Sequence, residues 1–384
     1  MKQLAILLVL TLSLTACKTT PDYGKPLPPG APALLPLDKD DPRPDMAAQF
    51  DSRAELLPAL ENSLAWMRKP TSTRHFPIEG VSHERALLSL ERFREILGSA
   101  TDGIDFSRRI EEEFTIYKSA GWDGKGGGVL FTGYCTPELR GSRVAGGEYR
   151  YPLYALPKDL VKGEEGEILG QQTDNGLEPY PTRSVIEASA MLSGKGLELV
   201  YLADPIDAYI AHVNGSAFVR LEDGTMLKLG YAGKNGRKYT SLGQELVKEK
   251  RLDKESVSLA GIRRWAQANP QEVEEFLNRN DSFVFFTPIE HNPHGSLNVP
   301  VTGWRSIATD KTLFPRGGVT FVSAKVGYGG DSTAVEQFFM DQDTGGAIRT
   351  AGRADLYLGA GDEAERVAGS TRAEGQLYYF FLKE

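Results

Sequence analysis

The 384-residue sequence has only five histidines and two cysteines, so few side chains are available for metal or redox chemistry. His291 and His294 lie three positions apart, but Pro293 between them prevents a helical pair that would face one metal ion. No cysteine or third histidine near them completes a zinc site. The sequence therefore predicts a protein without a bound metal, and no other cofactor is expected.

Positive charge is also scarce, since 44 Lys and Arg stand against 52 Asp and Glu and leave a net charge of -8. Binding to nucleic acid needs clustered cations that outweigh the acids, so no nucleic-acid partner is expected. The only cysteines are Cys17 and Cys135. If Cys17 is acylated, an intramolecular disulfide is excluded and the fold depends on its apolar core.

Several catalytic and binding motifs are missing or incomplete. The glycine run at 124–128 lacks the order of a P-loop and leads into a strand pattern rather than a helix. Ser216 in NGSAF lacks the second glycine of a G-x-S-x-G elbow, although a dispersed Ser-His-Asp triad stays open. Asp341, Asp343 and Gly346 imitate a calcium loop, but glycines occupy its fifth and twelfth positions, so that site would lack ligands.

The N-terminus carries a targeting signal. Lys2 precedes the apolar run LAILLVLTLSL, which closes in LTAC with Cys17 as its last residue. Its length and flanks predict a cleaved signal peptide over 1–16 rather than a membrane span. The ending resembles a bacterial lipoprotein box, which implies lipid on Cys17; the alternative is a plain secretory peptide with an incidental cysteine. By the same resemblance, Lys18 favours an outer-membrane lipoprotein that faces the periplasm.

The segment after the signal peptide, 17–45, is rich in proline and lacks periodicity. Such a composition predicts an extended tether, with ordered structure beginning near Met46. Apolar spacing then predicts packing helices over 84–100 and 104–121. The acidic triplet Glu111–Glu113 is interpreted as a solvated helix face rather than a catalytic cluster.

Beyond Gly121 the sequence alternates strand-like runs with turns, for example at 148–156, 197–213 and 216–233. The Asp-Gly pair in LEDGT, 221–225, predicts a tight hairpin. Helical patterns return at SLGQELVKE, SVSLAGIRRWAQANP and PQEVEEFLNRN, and strands resume at SFVFFTPI and VTFVSAK. These uneven blocks predict an α+β chain, mainly β, in which one domain interrupts another.

The chemistry that remains is carboxylate chemistry on a neutral substrate. The stretch from Met340 to Asp362 contains four carboxylates among five glycines. Aromatic residues beside glycine turns are of the type that stacks on sugar faces, although most aromatics in any protein belong to the core. These residues are Trp122, Tyr134, Tyr151, Tyr231, Trp304 and Tyr357.

Six blocks in order, covering roughly 128–382, resemble the membrane-bound lytic transglycosylase A family. They are FTGYCTPELRGSR, EYRYPLYALP, GYAGKNGRKYTSLGQELV, NRNDSFVFF, VPVTGWRSIATD and QDTGGAIRTAGRADLYLGAGDEAERVAG. The resemblance implies cleavage of peptidoglycan glycan strands between N-acetylmuramic acid and N-acetylglucosamine, with 1,6-anhydromuramoyl ends. The implied partners are glycan strands and, through the lipid, the membrane; proteins of cell-wall synthesis or division stay open as further partners.

The resemblance also implies a fold, namely a double-psi β-barrel with an inserted second β domain and N-terminal packing helices. On this chain it places the barrel in 46–133 plus 282–384 and the insert in 134–281. The glycan groove is expected between the two.

The last block resembles the family's three-aspartate (3D) domain, whose catalytic acid is the aspartate followed by a hydrophobic strand and glycine. That aspartate is Asp355, and the other two places fall on Asp310 and Asp343. The resemblance implies that Asp355 protonates the leaving oxygen and then takes a proton from the muramoyl C6 hydroxyl. Further substrate-binding or site-shaping positions are Thr132, Tyr134, Gly215, Ser216, Lys234, Asn235, Gly345, Gly346 and Tyr357. Apolar neighbours of Asp355 are expected to raise its pKa.

This chain departs from the family pattern at Cys135, where a second aromatic is usual, at Asn214–Ala217 and in the linker Phe286–Pro300. Two other functions stay open. A non-catalytic peptidoglycan-binding lipoprotein would keep the groove without the acid. A glycan hydrolase would use Asp310 or Asp343 as a second carboxylate.

The lipoprotein box generates the first test. Cys17→Ser removes the thiol that would carry the lipid, so the variant should be soluble or unprocessed while the wild type sediments with membranes. Fractionation and the mass of the mature protein measure this, with Cys135→Ser as the control that should behave as wild type. Unchanged membrane association of Cys17→Ser would contradict the anchor.

Overall fold

The computed structural model describes residues 20–163, 167–328 and 331–384, so the predicted signal peptide and Cys17 lie outside the described residues. The α-helices in these ranges are α1 (Arg53–Met67), α2 (His83–Ser99), α3 (Gly103–Glu113), α4 (Arg183–Ser189), α5 (Pro205–Asn214), α6 (Leu242–Lys248), α7 (Leu259–Ala268), α8 (Val273–Leu277) and α9 (Asp362–Ser370). The strands are β1 (Leu34–Pro36), β2 (Phe114–Ser119), β3 (Val129–Thr136), β4 (Glu138–Ser142), β5 (Tyr151–Tyr154), β6 (Leu160–Lys162), β7 (Ile168–Thr173), β8 (Gly176–Glu178), β9 (Glu198–Leu202), β10 (Ala217–Leu221), β11 (Met226–Lys234), β12 (Val284–Pro288), β13 (Ser306–Ala308), β14 (Val319–Tyr328), β15 (Asp331–Asp343), β16 (Arg353–Ala360) and β17 (Arg372–Leu382). None of the helices described is both long enough and apolar enough to cross a bilayer.

One sheet forms a nearly closed barrel. Its strands are hydrogen bonded in the order β1-β2-β17-β14-β15-β13-β16-β3, and β3 also pairs with β17. The pairing from β17 through β14, β15, β13, β16 and β3 therefore returns to β17. The N-terminal helices pack on this sheet through aromatic contacts, since Phe93 of α2 and Phe106 of α3 lie 5.2 and 5.8 Å from the ring of Phe338. The fold is mixed α/β and mostly sheet.

A second sheet, β12-β11-β10-β4-β9-β5, lies in the middle of the chain together with helices α5 to α8. The chain passes from β3 through Pro137 into β4, and it returns towards the barrel after β12. The expected insert, 134–281, differs from the strand pairing at both ends. Tyr134 still pairs with Tyr357 in the barrel sheet, and Val284 still pairs with Lys234 in the second sheet.

Several local predictions are confirmed. Helix α2 occupies the first predicted helix, and Ser82 caps it by accepting a hydrogen bond from the backbone N–H of Arg85 at 3.1 Å. The LEDGT hairpin joins β10 to β11, and α6, α7 and α8 occupy the three later helical patterns. Of the acidic triplet, Glu111 and Glu112 are exposed and Glu113 forms an ion pair with Arg92, as a solvated face requires.

Two predicted elements are wrong. The helix expected over 104–121 ends at Glu113, because Phe114–Ser119 pairs with β17 and becomes β2. The strand expected over 197–213 ends at Leu202, and α5 follows. Asp204 caps that helix by accepting from the N–H of Ile206 at 2.7 Å, and proline at the first helical position favours the start.

The expectation that order begins near Met46 is also wrong. Residues 34–36 form β1, which pairs with β2, and Ala33 is fully buried. The backbone carbonyl of Tyr23 accepts a hydrogen bond from the Thr350 hydroxyl at 2.6 Å. Proline composition indicated an extended tether, but pairing with β2 at the sheet edge and the contact with the loop at Thr350 hold this segment against the barrel.

The barrel interior contains an ion pair between Lys311 and Asp341, with side chains 4% and 0% exposed. Asp341 also accepts hydrogen bonds from the hydroxyls of Thr309 at 2.8 Å and Tyr379 at 2.9 Å. These donors satisfy a carboxylate that has no access to water. A buried charge of this kind is tolerated only while its partners remain in place.

Removing one member of that pair should therefore destabilise the protein strongly. We expect Asp341→Asn to lower the free energy of unfolding by about 3–5 kcal/mol, because Lys311 would stay buried without its counter-charge. Arg108→Gln, which breaks exposed pairs with Asp105 and Glu112, is the control and should lower the free energy of unfolding far less, because water screens these charges. Urea unfolding at pH 7 measures both; equal effects would contradict a structural role for the buried pair.

Candidate active site

Two parallel strands, β3 and β16, bring the predicted site residues side by side. Asp355 pairs with Thr132, and Tyr357 pairs with Tyr134. Because side chains alternate along a strand, Arg353, Asp355 and Tyr357 share one face of β16. The opposite face carries Ala354, Leu356 and Leu358, which belong to the main apolar core. The register of this one strand pair therefore places the candidate acid outside the apolar core.

Asp355 is half-buried, and its Oδ1 atom is inaccessible to water and has no hydrogen-bond partner. Burial raises the pKa of Asp355 to about 7, and the charge of Asp343 adds to the increase. Hydrogen bonding with Thr132 and the positive charge of Arg353 act in the opposite direction. The carboxyl group can therefore hold a proton near neutral pH, as a general acid must.

Asp343, at the end of β15, has a different environment. Its Oδ2 accepts a hydrogen bond from the Tyr134 hydroxyl at 2.7 Å, and its Oδ1 accepts from the backbone N–H groups of Ser296 and Thr344, both at 2.8 Å. Burial raises the pKa of Asp343, while these three donors favour the ionised form. Of the two carboxyl groups, the one with fewer donors, Asp355, is the better proton carrier.

Ser296 is a residue that sequence reasoning missed. It belongs to the linker Phe286–Pro300, and it contributes only its backbone N–H to Asp343. The neighbouring Gly295 lies against the same strand, since a methyl group there would be 2.6 Å from the carbonyl oxygen of Gln342. Backbone donation leaves no residue-type signal, so no pattern could have identified this contact.

The tyrosine pair connects the barrel to the second sheet. The rings of Tyr134 and Tyr357 lie 5.1 Å apart, and the Tyr357 hydroxyl is 2.8 Å from that of Thr136. The hydroxyl of Ser216 lies 3.4 Å beyond Thr136. Gly215 precedes Ser216 with φ of +70°, ending α5 in a left-handed conformation that favours glycine. Burial raises the pKa of Tyr357 to about 12, so its hydroxyl stays protonated.

The remaining predicted glycines lie in the loop after β15. Gly345 is half-buried and Gly346 is exposed. A methyl group on Gly346 would lie 3.9 Å from Cβ of Tyr239, which follows β11 of the second sheet. The loop is therefore close to both sheets. Lys234, the last residue of β11, is exposed.

Asn235, another of the predicted positions, is buried within the second sheet's loops. It is 2% exposed, and its amide bonds four backbone groups, those of Pro181, Arg237, Asp281 and Phe283. Its hydrogen-bonding groups therefore join loops of the second sheet. Sequence alone did not distinguish such a buried amide from a sugar contact.

The hydrogen-bond partners of Asp310 differ from those of Asp343 and Asp355. It accepts hydrogen bonds from Thr312 and from the backbone N–H of Thr350 at 3.0 Å. Burial alone would raise its pKa, but these donors outweigh burial and lower the pKa below its usual value. Asp310 lines a cavity of about 660 Å³ formed with residues of the N-terminal segment such as Pro28 and Pro32. Its contacts anchor the loop at Thr350.

The departure at Cys135 falls on a buried position. Cys135 is 4% exposed, and alternation along β3 turns it away from the face that carries Thr132 and Tyr134. Burial raises the pKa of its thiol to about 12, with Glu365 and Asp355 adding to the increase. Among the residues that the structure describes, no group of three or more His, Cys, Asp or Glu could hold a metal ion.

Comparison with protein-family models gives two adjacent matches. The model described as the MltA specific insert domain matches residues 130–287, and the 3D domain model matches residues 305–381. The chain is 35% identical over 267 residues to the membrane-bound lytic murein transglycosylase A of Vibrio cholerae, and the alignment covers 67% of each protein.

Solved structures show the same fold. A membrane-bound lytic murein transglycosylase from Agrobacterium tumefaciens is similar with a TM-score of 0.77 and 24% identity, over 91% of this chain and 98% of that one. The E. coli MltA structure with bound chitohexaose is similar with a TM-score of 0.69 and 24% identity, over 95% of this chain and 96% of that one.

The environment of Asp355 predicts how stability depends on pH. Because folding raises its pKa from about 4 to about 7, the folded state loses stability as pH rises through this window. Asp355→Asn removes the loss, so its free energy of unfolding should exceed that of wild type by about 1–3 kcal/mol at pH 8 and by little at pH 4.5.

Urea unfolding at the two pH values tests this expectation. Asp174→Asn, a change in the exposed turn between β7 and β8, is the matched control and should follow wild type. A difference between Asp355→Asn and wild type that is the same at both pH values would contradict the raised pKa.

Proposed function

The chain belongs to the membrane-bound lytic murein transglycosylase A family, and we propose that it cleaves peptidoglycan glycan strands with Asp355 as its acid and then its base. Membership rests on the two adjacent family matches and on 35% identity to the Vibrio cholerae member. The observation that carries the assignment of Asp355 is its half-buried carboxyl group, with a pKa raised to about 7 and one oxygen without a partner.

The reaction needs one group that donates a proton and later accepts one. Asp355 gives its proton to the glycosidic oxygen of the leaving sugar, and the C–O bond electrons remain on that oxygen. The muramoyl C6 hydroxyl then attacks the anomeric carbon and returns its proton to Asp355. No water is consumed, so the product is a 1,6-anhydromuramoyl end, and no metal or cofactor takes part in these steps.

Asp343 shapes the site in this proposal rather than carrying the proton. Its three donors hold it in one orientation and favour its ionised form. An anion near the anomeric carbon would stabilise the positive charge that develops there when the glycosidic bond breaks. Tyr134, which donates to Asp343 and contacts Tyr357, would form part of the sugar-binding surface.

The glycan groove would lie between the barrel and the second sheet. Its walls would include Thr132, Ser216, the loop at Gly345 and Gly346, and the exposed Lys234. Asn235 and Asp310 would not contact the glycan directly, because backbone and threonine partners occupy their polar atoms. The presence of chitohexaose in the E. coli structure supports a glycan ligand for this fold.

The barrel is proposed to have the double-psi connectivity of the family, with the second sheet as an insert. Strand pairing supports limits of this insert after Thr136 and after Pro288, in place of the expected 134–281. As a member of a membrane-bound family the protein would associate with a membrane, and the signal sequence with Cys17 favours the outer membrane facing the periplasm.

The decisive experiment is the product analysis of purified enzyme with isolated sacculi. Wild type should release 1,6-anhydromuropeptides, and digestion in H₂¹⁸O should leave them unlabelled, because the attacking oxygen belongs to the sugar. Asp355→Asn should bind sacculi but lose about 100-fold to 10,000-fold in turnover. Asp343→Asn should lose less, because it removes charge but not the proton carrier.

Mass spectrometry distinguishes the alternatives. Labelled reducing ends as the first product would establish a hydrolase, and no product from wild type with intact binding would indicate a binding lipoprotein. Full activity of Asp355→Asn would place the acid at another residue.

A further inference from the structure

Arg353 is a charged residue that the family resemblance did not single out. It is the first residue of β16, two positions before Asp355, so both side chains lie on the same face of the strand. Its guanidinium Nη2 donates to the hydroxyl of Thr132 at 3.4 Å. Thr132 is the residue that pairs with Asp355 across the β3–β16 ladder. Arg353 therefore reaches the acid through Thr132.

Two polar atoms at this position have no partner. Nε of Arg353 and Oδ1 of Asp355 are both inaccessible to water, and neither forms a hydrogen bond. Buried polar atoms without a partner are rare in native proteins, and each of them calls for an explanation. A direct Arg–carboxylate fork would satisfy both atoms, but it would also hold Asp355 in its ionised form.

The other charged and titratable groups around Asp355 do not replace this cation. The charge that Asp343 of β15 carries when it is ionised raises the pKa of Asp355. Tyr134 and Cys135 of β3 and Tyr357 of β16 all have pKa values raised by burial, so they are neutral near pH 7. Arg372 of β17 pairs with Thr132 on its other side, but it is exposed.

We propose that Arg353 is a positioning residue for the acid, and that it stabilises the Asp355 carboxylate formed when the proton passes to the leaving sugar. This inference rests on the proposed role of Asp355. Before the reaction, the Thr132 hydroxyl stands between the guanidinium and the carboxyl group, which leaves Asp355 able to keep its proton. After proton transfer, the new carboxylate faces a cation in a half-buried site, where their attraction is only weakly screened.

The strength of the attraction between Arg353 and Asp355 affects both steps of the reaction. A stronger contact would make Asp355 a poor acid at neutral pH, whereas no cation would make its carboxylate expensive to form. The Thr132 spacer leaves the attraction at an intermediate strength. It also leaves Asp355 basic enough to recover the proton from the C6 hydroxyl.

The test compares Arg353→Met, which removes the charge, with Arg353→Lys, which keeps it. In Arg353→Met the pKa of Asp355, measured by carboxyl-carbon NMR titration of the free protein, should rise by about one unit. The alkaline limb of the kcat profile should move to higher pH by the same amount, because Asp355 then stays protonated longer. At its optimum, kcat should fall at least several-fold, and Arg353→Lys should restore most of both properties.

Two further variants serve as a charge control and as a second test of the contact through Thr132. Arg372→Met removes a neighbouring but exposed positive charge, so it should leave the titration of Asp355 nearly unchanged. Thr132→Val removes the spacer hydroxyl and its hydrogen bond, and it should raise the pKa of Asp355 even if Arg353→Met does not fold.

Several outcomes would overturn the proposal. One is an unchanged Asp355 titration in Arg353→Met or, should that variant not fold, in Thr132→Val; another is equal titration shifts in Arg353→Met and Arg372→Met. An effect confined to KM for substrates that carry peptide stems would assign Arg353 to an anionic group of the substrate instead. The NMR titration needs no turnover, so it can fail while Asp355→Asn still abolishes activity, and the two proposals are tested separately.

Discussion

The site depends on the parallel pairing of β16 with β3. These strands are far apart in sequence, and the whole second sheet is inserted between them. Their register decides which face of β16 meets the core, because neighbouring side chains point in opposite directions. A slip of one residue would turn Asp355 towards the apolar core and Leu356 away from it. The barrel is closed at this same strand, since β3 also pairs with β17, so the register is held from both sides.

Three acids that lie close together in the sequence have different physical roles because their environments differ. Asp341 is paired with Lys311 inside the barrel and receives two hydroxyl donors. Asp343 receives three donors at the barrel's edge. Asp355 has an oxygen with no donor at all. The number of partners therefore separates a member of a structural ion pair, an oriented carboxyl group and a proton carrier among chemically identical side chains.

Local patterns predicted what depends on local physics. The helix α2 and the hairpin at 221–225 follow from apolar spacing and from an Asp-Gly turn. The strand β2 was not predicted because its partner, β17, lies at the far end of the chain. The local sequence around β2 has helix-like spacing and carries no sign of that pairing. The role of Asp355 came from resemblance, whereas the contacts of Ser296 and Arg353 required the fold. Backbone donors and cross-strand neighbours leave no signature in a single sequence.

The docking of the N-terminal segment on the barrel shortens the free linker between Cys17 and the folded protein. The Tyr23 carbonyl is already bonded to Thr350, and β1 extends the barrel sheet. With lipid on Cys17, as the sequence predicts, only the six peptide links to Tyr23 separate the bilayer anchor from the folded body. Fully extended, they span about 20 Å. The enzyme would then stay close to the bilayer and cleave only those glycan strands that pass near the membrane surface.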